Sequence, residues 1–299
     1  VSLGFCRNNS GPACLVASVL PDGTISLVEG SVDIGGSRTA IAQIMAEVLG
    51  LKSEDVIPQV GDTDSIGFTS VTGGSGVAYK SGWAAHEAAI DIKNQIVKRA
   101  AIIWDKDVTE IEYLDGSVRH KSDSELKMSF KEIASQINET GEPIIGKANI
   151  NPGGTTGSYS ALIADVQVDA ETGKVDLLKL TAFQDVGYAI HPSYVEGQIQ
   201  GGIAQGIGWA LNEEYFFDDK GIMKNNSLLD YRMPISLDLP DIETVLVEVP
   251  NPNHPYGVKG VGEASISCPL AAIANAINDA VGIRLRSLPM KPQKLQACL

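Results

Sequence analysis

The sequence predicts an α+β fold of two similar hairpin-plus-helix subdomains with mixed or antiparallel sheets. Three observations predict it. Paired β-branched runs flank tight turns at Pro21-Asp22-Gly23 and at Glu171-Thr172-Gly173. A helical period follows each pair, and Val32-Asp33-Ile34-Gly35 after the first is echoed by Gln184-Asp185-Val186-Gly187 after the second. Strands joined by hairpins rather than single crossovers disfavour a doubly wound sheet.

The elements follow in order. Strands are expected at 15–20 and 24–28. Ser37 is positioned as the N-cap of a helix with apolar residues at Ile41, Ile44, Met45, Val48 and Leu49, stopped by Gly50. Alanine-rich Val77–Trp104 reads as a longer helix, 113–120 as a hairpin around Asp115-Gly116, and Ser129 with Glu132 as the capping box of a short helix. The Gly, Pro, Asn and Ser content of 141–160 reads as a connection, dividing the chain into 1–150 and 151–299. Strands at 164–168 and 174–180 lead to a helix capped by Ser193 and Glu196. That helix carries glycine at 197, 201, 202, 206 and 208, each costing about 1 kcal/mol relative to alanine. Something must therefore approach its backbone closely, by helix packing or as a bulky ligand. Gln198 and Gln205 share one side of it and read as buried amides. The segment 250–267 has no regular pattern and ends at Pro269, the first residue of a helix with Leu270, Ile273, Ile277 and Val281 inward and Gly282 as its stop.

Composition narrows the function. With 299 residues, 43% hydrophobic and 20% charged, the chain buries a core without staples. Its 23 basic against 37 acidic residues, a formal charge of −14, repel a phosphate backbone and exclude nucleic acid as the natural partner. No run approaches the roughly 20 apolar residues of a membrane span. The chain is read as cytoplasmic, with Cys6, Cys14, Cys268 and Cys298 reduced and the sequons at Asn8, Asn138 and Asn225 idle. The cysteine spacing matches no zinc or iron–sulfur pattern. Opening on Val1 in mid-pattern marks the chain as a fragment, a processed product or one piece of a split protein.

Four segments bear on chemistry. The run from Gly141 to Lys147 has phosphate-loop spacing, but it ends in Ala148 where magnesium needs a hydroxyl and it follows a helix, so it is read as coincidence. The loops 32–37 (VDIGGS) and 69–76 (TSVTGGSG) each lead backbone donors into a helix N-terminus, which favours an anion or a polar carbonyl edge. Glu263, flanked by Gly260 and Gly262, can approach a ligand without steric cost; on spacing alone it is equally a solvated loop residue.

Taken in order, VDIGGSRTAIAQ, VTGGSG, DVGYAIHPSYVEGQIQGGIAQGIG and KGVGE resemble the molybdenum hydroxylases of the xanthine oxidase and aldehyde oxidoreductase family, over essentially the whole chain, as the C-terminal half of the molybdopterin-binding subunit. The resemblance implies the molybdenum-cofactor-binding domain type of α+β fold and a molybdopterin with molybdenum, in its cytosine dinucleotide form. It implies hydroxylation of an electrophilic C–H carbon of an N-heterocycle or aldehyde with oxygen from water. Glu263 matches the general base, Gln198 the helix glutamine that hydrogen-bonds the cofactor, and Gly262 the glycine before the base. Gly35, Gly36, Thr72, Gly73, Gly74 and Ser75 match cofactor-contacting loops, and Phe5 an aromatic that flanks the substrate. Many relatives carry glutamine where this chain has Gly36, which keeps a non-catalytic scaffold or assembly subunit as the alternative. The resemblance also implies partners: the N-terminal half of the subunit, an iron–sulfur subunit with 2Fe-2S clusters and an FAD subunit.

Overall fold

The computed structural model describes residues 1–62, 64–153 and 156–299. Gly154 and Thr155 of the expected connection lie outside them. Two compact units divide the chain. The first comprises Asn9–Thr155 and Pro252–Val258; the second comprises Val1–Asn8, Thr156–Asn251 and Lys259–Leu299. Each unit thus takes one segment from the other's half of the sequence, exchanges that a boundary at 150/151 does not contain.

The chain opens with β1 (Ser2–Arg7), a strand of the second unit. The first unit then runs β2 (Ala13–Val19), β3 (Ile25–Glu29), α1 (Ser37–Leu49), β4 (Val56–Val60) and α2 (Val77–Trp104). It continues with β5 (Ile111–Leu114), β6 (Ser117–His120), β7 (Lys127–Ser129), α3 (Phe130–Ser135), α4 (Ile137–Thr140) and β8 (Ile145–Ile150). The second unit resumes with β9 (Gly157–Val168), β10 (Val175–Asp185), α5 (Pro192–Leu211), β11 (Asp241–Val247), α6 (Pro269–Val281) and α7 (Pro292–Gln296).

The echo in the sequence is a repeat in the topology. One sheet runs β4-β3-β2-β8, the other β11-β10-β9-β1. In both, an antiparallel hairpin is flanked on one side by a parallel strand and on the other by an antiparallel strand. A helix lies between the hairpin and the parallel strand in each case, α1 in one and α5 in the other. β1, from the chain's start, holds in the second unit the place that β8 holds in the first. A third sheet, β5-β6-β7, extends the 113–120 hairpin by one strand.

Alternate residues of β2 are buried, as a strand with one covered face requires. Leu15, Ala17, Leu27, Ile41, Met45 and the alanines 84, 85, 88 and 89 of α2 form the first core. Leu162, Leu180, Ile199, Ile203, Ile207, Ile273 and Ile277 form the second.

Three expectations are corrected. Gly36, not Ser37, is the N-cap of α1: it adopts φ 76°, and the Ser37 hydroxyl turns back to accept from the Ile34 N–H. α5 begins at Pro192, with the His191 ring accepting from the Tyr194 N–H, so Ser193 and Glu196 lie inside the first turn and form no capping box. The 141–160 segment contains β8 and the start of β9. Gly146 serves packing rather than turning, since a Cβ there would lie 2.3 Å from the Ala88 carbonyl oxygen of α2. The Ser129–Glu132 capping box is present in both directions.

Candidate cofactor-binding and base-bearing site

Glu263 stands exposed on a turn whose every neighbour is tied down within the second unit. Lys259 forms a buried ion pair with Asp185 at the end of β10, Nζ to Oδ2 2.6 Å. The Gly260 N–H donates to Asn8 Oδ1 at 3.0 Å, and the Gly260 carbonyl accepts from Asn8 Nδ2 and from the Ser158 hydroxyl. Gln184, beside Asp185, donates to the Val261 carbonyl at 2.9 Å, and its own Oε1 is buried without a partner among the described residues. Beyond the carboxylate, the Ala264 carbonyl accepts from Ser160 at 3.2 Å and Ser267 at 2.7 Å. The chain turns sharply here because β9, β10 and the residue after β1 supply the donors and acceptors that a strand partner would otherwise provide.

β1 closes one side of this turn. A Cβ on Gly4 would meet Ser267, Cys268 and Ser160 within 2.7 Å, so only glycine lets the strand pass. Cys6, on the same strand face, lies within electrostatic reach of Glu263: burial pushes the thiol above its usual range, and the carboxylate charge pushes it further. Strand alternation turns Phe5 to the other face, 55% exposed, with its ring 5.2 Å from that of Tyr159.

α5 closes the other side, and its glycines separate into two stripes, Gly202 with Gly206 and Gly197 with Gly201 and Gly208. Gly202 abuts the turn, where a Cβ would lie 2.0 Å from Ser265 Oγ and 3.3 Å from the Gly262 carbonyl oxygen. Gly206 receives the Pro269 ring and Gly208 the Glu213 side chain. Gly197 and Gly201 face no described atom within 4 Å. Gln198, half-buried and one helical turn before Gly202, lies between the stripes on the side of the Glu263 turn. Gln205 is exposed, so the pair of buried amides expected on this helix is not formed.

The remaining candidates belong to the first unit. Gly35 and Gly36 both adopt left-handed conformations at the exposed tip before α1. Its base is fixed by Arg38, buried beside Glu29 at 3.8 Å and donating to the carbonyls of Ser31 and Gln59. Thr72, Gly73, Gly74 and Ser75 form the half-buried loop ahead of α2, with Gly74 and Ser75 left-handed. Buried Lys80 holds this loop, donating from Nζ to the Ser70 hydroxyl and to the carbonyls of Ser70 and Val71 at 2.7–2.8 Å. A Cβ on Gly73 would meet no described atom within 4 Å, and the N-cap of α2 is Gly76, which has no side chain to offer. An open face at Gly73 close to the N-terminus of α2 suits an anionic ligand, while Gly74 and Gly76 are packed against Asn9. No group of three or more His, Cys, Asp or Glu poised for a metal occurs among the described residues.

Sequence reasoning missed Asn8, Ser158, Asp185 and Gln184 as supports of the Glu263 turn, because the contacts join residues far apart in the chain. The recurrence of Asp33 at Asp185 was the one local mark of that group.

Comparison with known proteins agrees in extent and in kind. Residues 1–240 match the family model of the molybdopterin cofactor-binding domain. The xanthine dehydrogenase molybdenum-binding subunit of Escherichia coli O157:H7 is 33% identical over 281 residues, covering 92% of this chain and 37% of that protein. The nicotine 6-hydroxylase large subunit of Paenarthrobacter nicotinovorans is 31% identical over 287 residues, covering 91% of this chain and 35% of that protein. The crystal structure of quinoline 2-oxidoreductase from Pseudomonas putida 86 superposes with a TM-score of 0.84 at 28% identity, over 98% of this chain and 41% of that one. The chain therefore spans little more than a third of the curated relatives it matches, and on the match of its first 240 residues it belongs to the molybdopterin cofactor-binding domain family.

Proposed function

We propose that this chain is the cofactor-holding, base-donating C-terminal part of the large subunit of a molybdenum hydroxylase. The observation that carries the reading is Glu263, exposed on an immobilised turn beside an α5 face left open at Gly197 and Gly201. When bound, the molybdenum cofactor supplies the oxygen to be inserted, drawn from water, and accepts the two electrons. Gln198 offers a donor and an acceptor to it from α5. Gly35, Gly36 and the Thr72–Ser75 loop offer backbone N–H groups and hydroxyls, with the cytosine dinucleotide form as the ligand. Glu263 takes the proton of the attacking oxygen as that oxygen meets an electrophilic carbon, help that typically contributes on the order of 10²- to 10⁴-fold. Gly262, next to it, lets the carboxylate approach without a side chain in the way.

The substrate class is an N-heterocycle or aldehyde. Relatives named for xanthine, nicotine and quinoline support the former. Phe5 is carried as the aromatic that flanks substrate by the family resemblance alone; its ring lies with Tyr159 on the face of β1 opposite Cys6. Electrons leave through iron–sulfur and FAD partners, and the N-terminal part of the subunit completes the pocket. Replacing Glu263 with glutamine in the assembled complex abolishes substrate-dependent reduction while molybdenum content stays near normal; retained turnover removes the base from the mechanism.

Gly36 supports a second reading, a scaffold that keeps the fold without a working centre. Metal analysis and pterin fluorescence of the purified complex separate the two, since a scaffold carries neither.

A further inference from the structure

Glu263 has no helix or strand of its own to hold it. Its position follows from the peptides on either side, and the tightest grip on these is at Gly260, where one side chain engages both backbone polar groups. Asn8 is 1% exposed and Ser158 is fully buried. Asn8 Oδ1 accepts from the Gly260 N–H at 3.0 Å and from the Ser158 hydroxyl at 3.0 Å, and its Nδ2 donates to the Gly260 carbonyl at 3.4 Å. An amide side chain thus does at Gly260 what a neighbouring strand would do, engaging both the N–H and the carbonyl. In a dry setting such a network is directional: removing the amide strands the Gly260 N–H, which recovers a partner only if the turn moves.

We infer that Asn8 is a positioning residue for Glu263, acting through Gly260. The inference rests on the reading of Glu263 as the general base.

The test compares Asn8→Ala, Asn8→Asp, Ser158→Ala and Glu263→Gln in the complete complex that contains this chain, by steady-state kinetics and by amide hydrogen exchange over residues 259–264. Asn8→Ala is expected to speed exchange at least about tenfold and to lower kcat about 10- to 100-fold with KM within about threefold, the scale on which a displacement near 1 Å acts. Asn8→Asp keeps the acceptor for the Gly260 N–H and the Ser158 hydroxyl and recovers part of both losses. Faster exchange with wild-type kcat overturns the inference, as does a lower kcat with unchanged exchange. Where Asn8→Ala does not fold, Ser158→Ala carries the same two readouts in milder form. Glu263→Gln keeps the parent reading separate: turnover retained there defeats the base itself, whereas turnover abolished there with Asn8→Ala fully active defeats only the positioning role.

Discussion

At the scale of single residues, His254 shows how the 252–258 segment is held in the first unit. Its ring lies 5.3 Å from Tyr79 and 5.8 Å from Trp83, and its Nδ1 accepts from the N–H groups of Tyr256 and Val258. Burial pushes its pKa down to about 4. A depressed histidine binds fewer protons folded than unfolded, so its contribution is full above the unfolded value near 6.5 and is lost as pH falls toward about 4. The shift corresponds to about 3 kcal/mol over that window. Urea midpoints should therefore fall between pH 6.5 and 4, and His254→Gln, which keeps an acceptor for the two amides, should flatten that slope; an unchanged slope would assign the pH sensitivity elsewhere. Legibility differed sharply between such residues. Glu263 could be read because glycines flank it and a motif surrounds it, whereas the burial of His254 against Tyr79 and Trp83 and the grip of Asn8 on Gly260 join residues distant in sequence.

At the scale of elements, helices were readable because period and punctuation agree. α2 spans the expected Val77–Trp104, and α6 starts at Pro269 and stops at Gly282. β8 was hidden because Gly146 and Ala148 look like loop residues while serving close approach to α2. The α5 glycines fall between these cases. Their cost was visible in the sequence, but which serve packing and which stay open depends on neighbours the sequence does not order. Two opposite outcomes follow. Gly197→Ala and Gly201→Ala each add helix propensity in open space and should raise stability by about 0.5–1 kcal/mol in thermal melts, while lowering molybdenum and pterin content if this face seats the cofactor. Gly206→Ala drives a methyl into Pro269 and should cost about 1–3 kcal/mol. Unaltered cofactor content in the first pair would mean that the open stripe seats something else.

At the scale of the whole molecule, the fold class was legible, while the assignment of the short segments Val1–Asn8 and Pro252–Val258 to their units was not. A repeat of hairpin, helix and parallel strand shows in the order of elements, but the strand that completes the second sheet comes from the other end of the chain. The halves 1–150 and 151–299 should accordingly fail to fold apart. The second lacks β1 and Asn8, and the first lacks the segment bearing His254. Circular dichroism and thermal melts of each half, alone and mixed, check this; two independent cooperative transitions at the native midpoint would contradict it.

The Asn8–Gly260 bond spans 252 positions. On a ribosome adding roughly 5–20 residues per second, Asn8 emerges some tens of seconds before its partner. Until then a nascent chain has the loops ahead of α1 and α2 but no seat for its carboxylate. The seat of that carboxylate is therefore among the last local arrangements to form, since it waits for both ends of this contact to be synthesised.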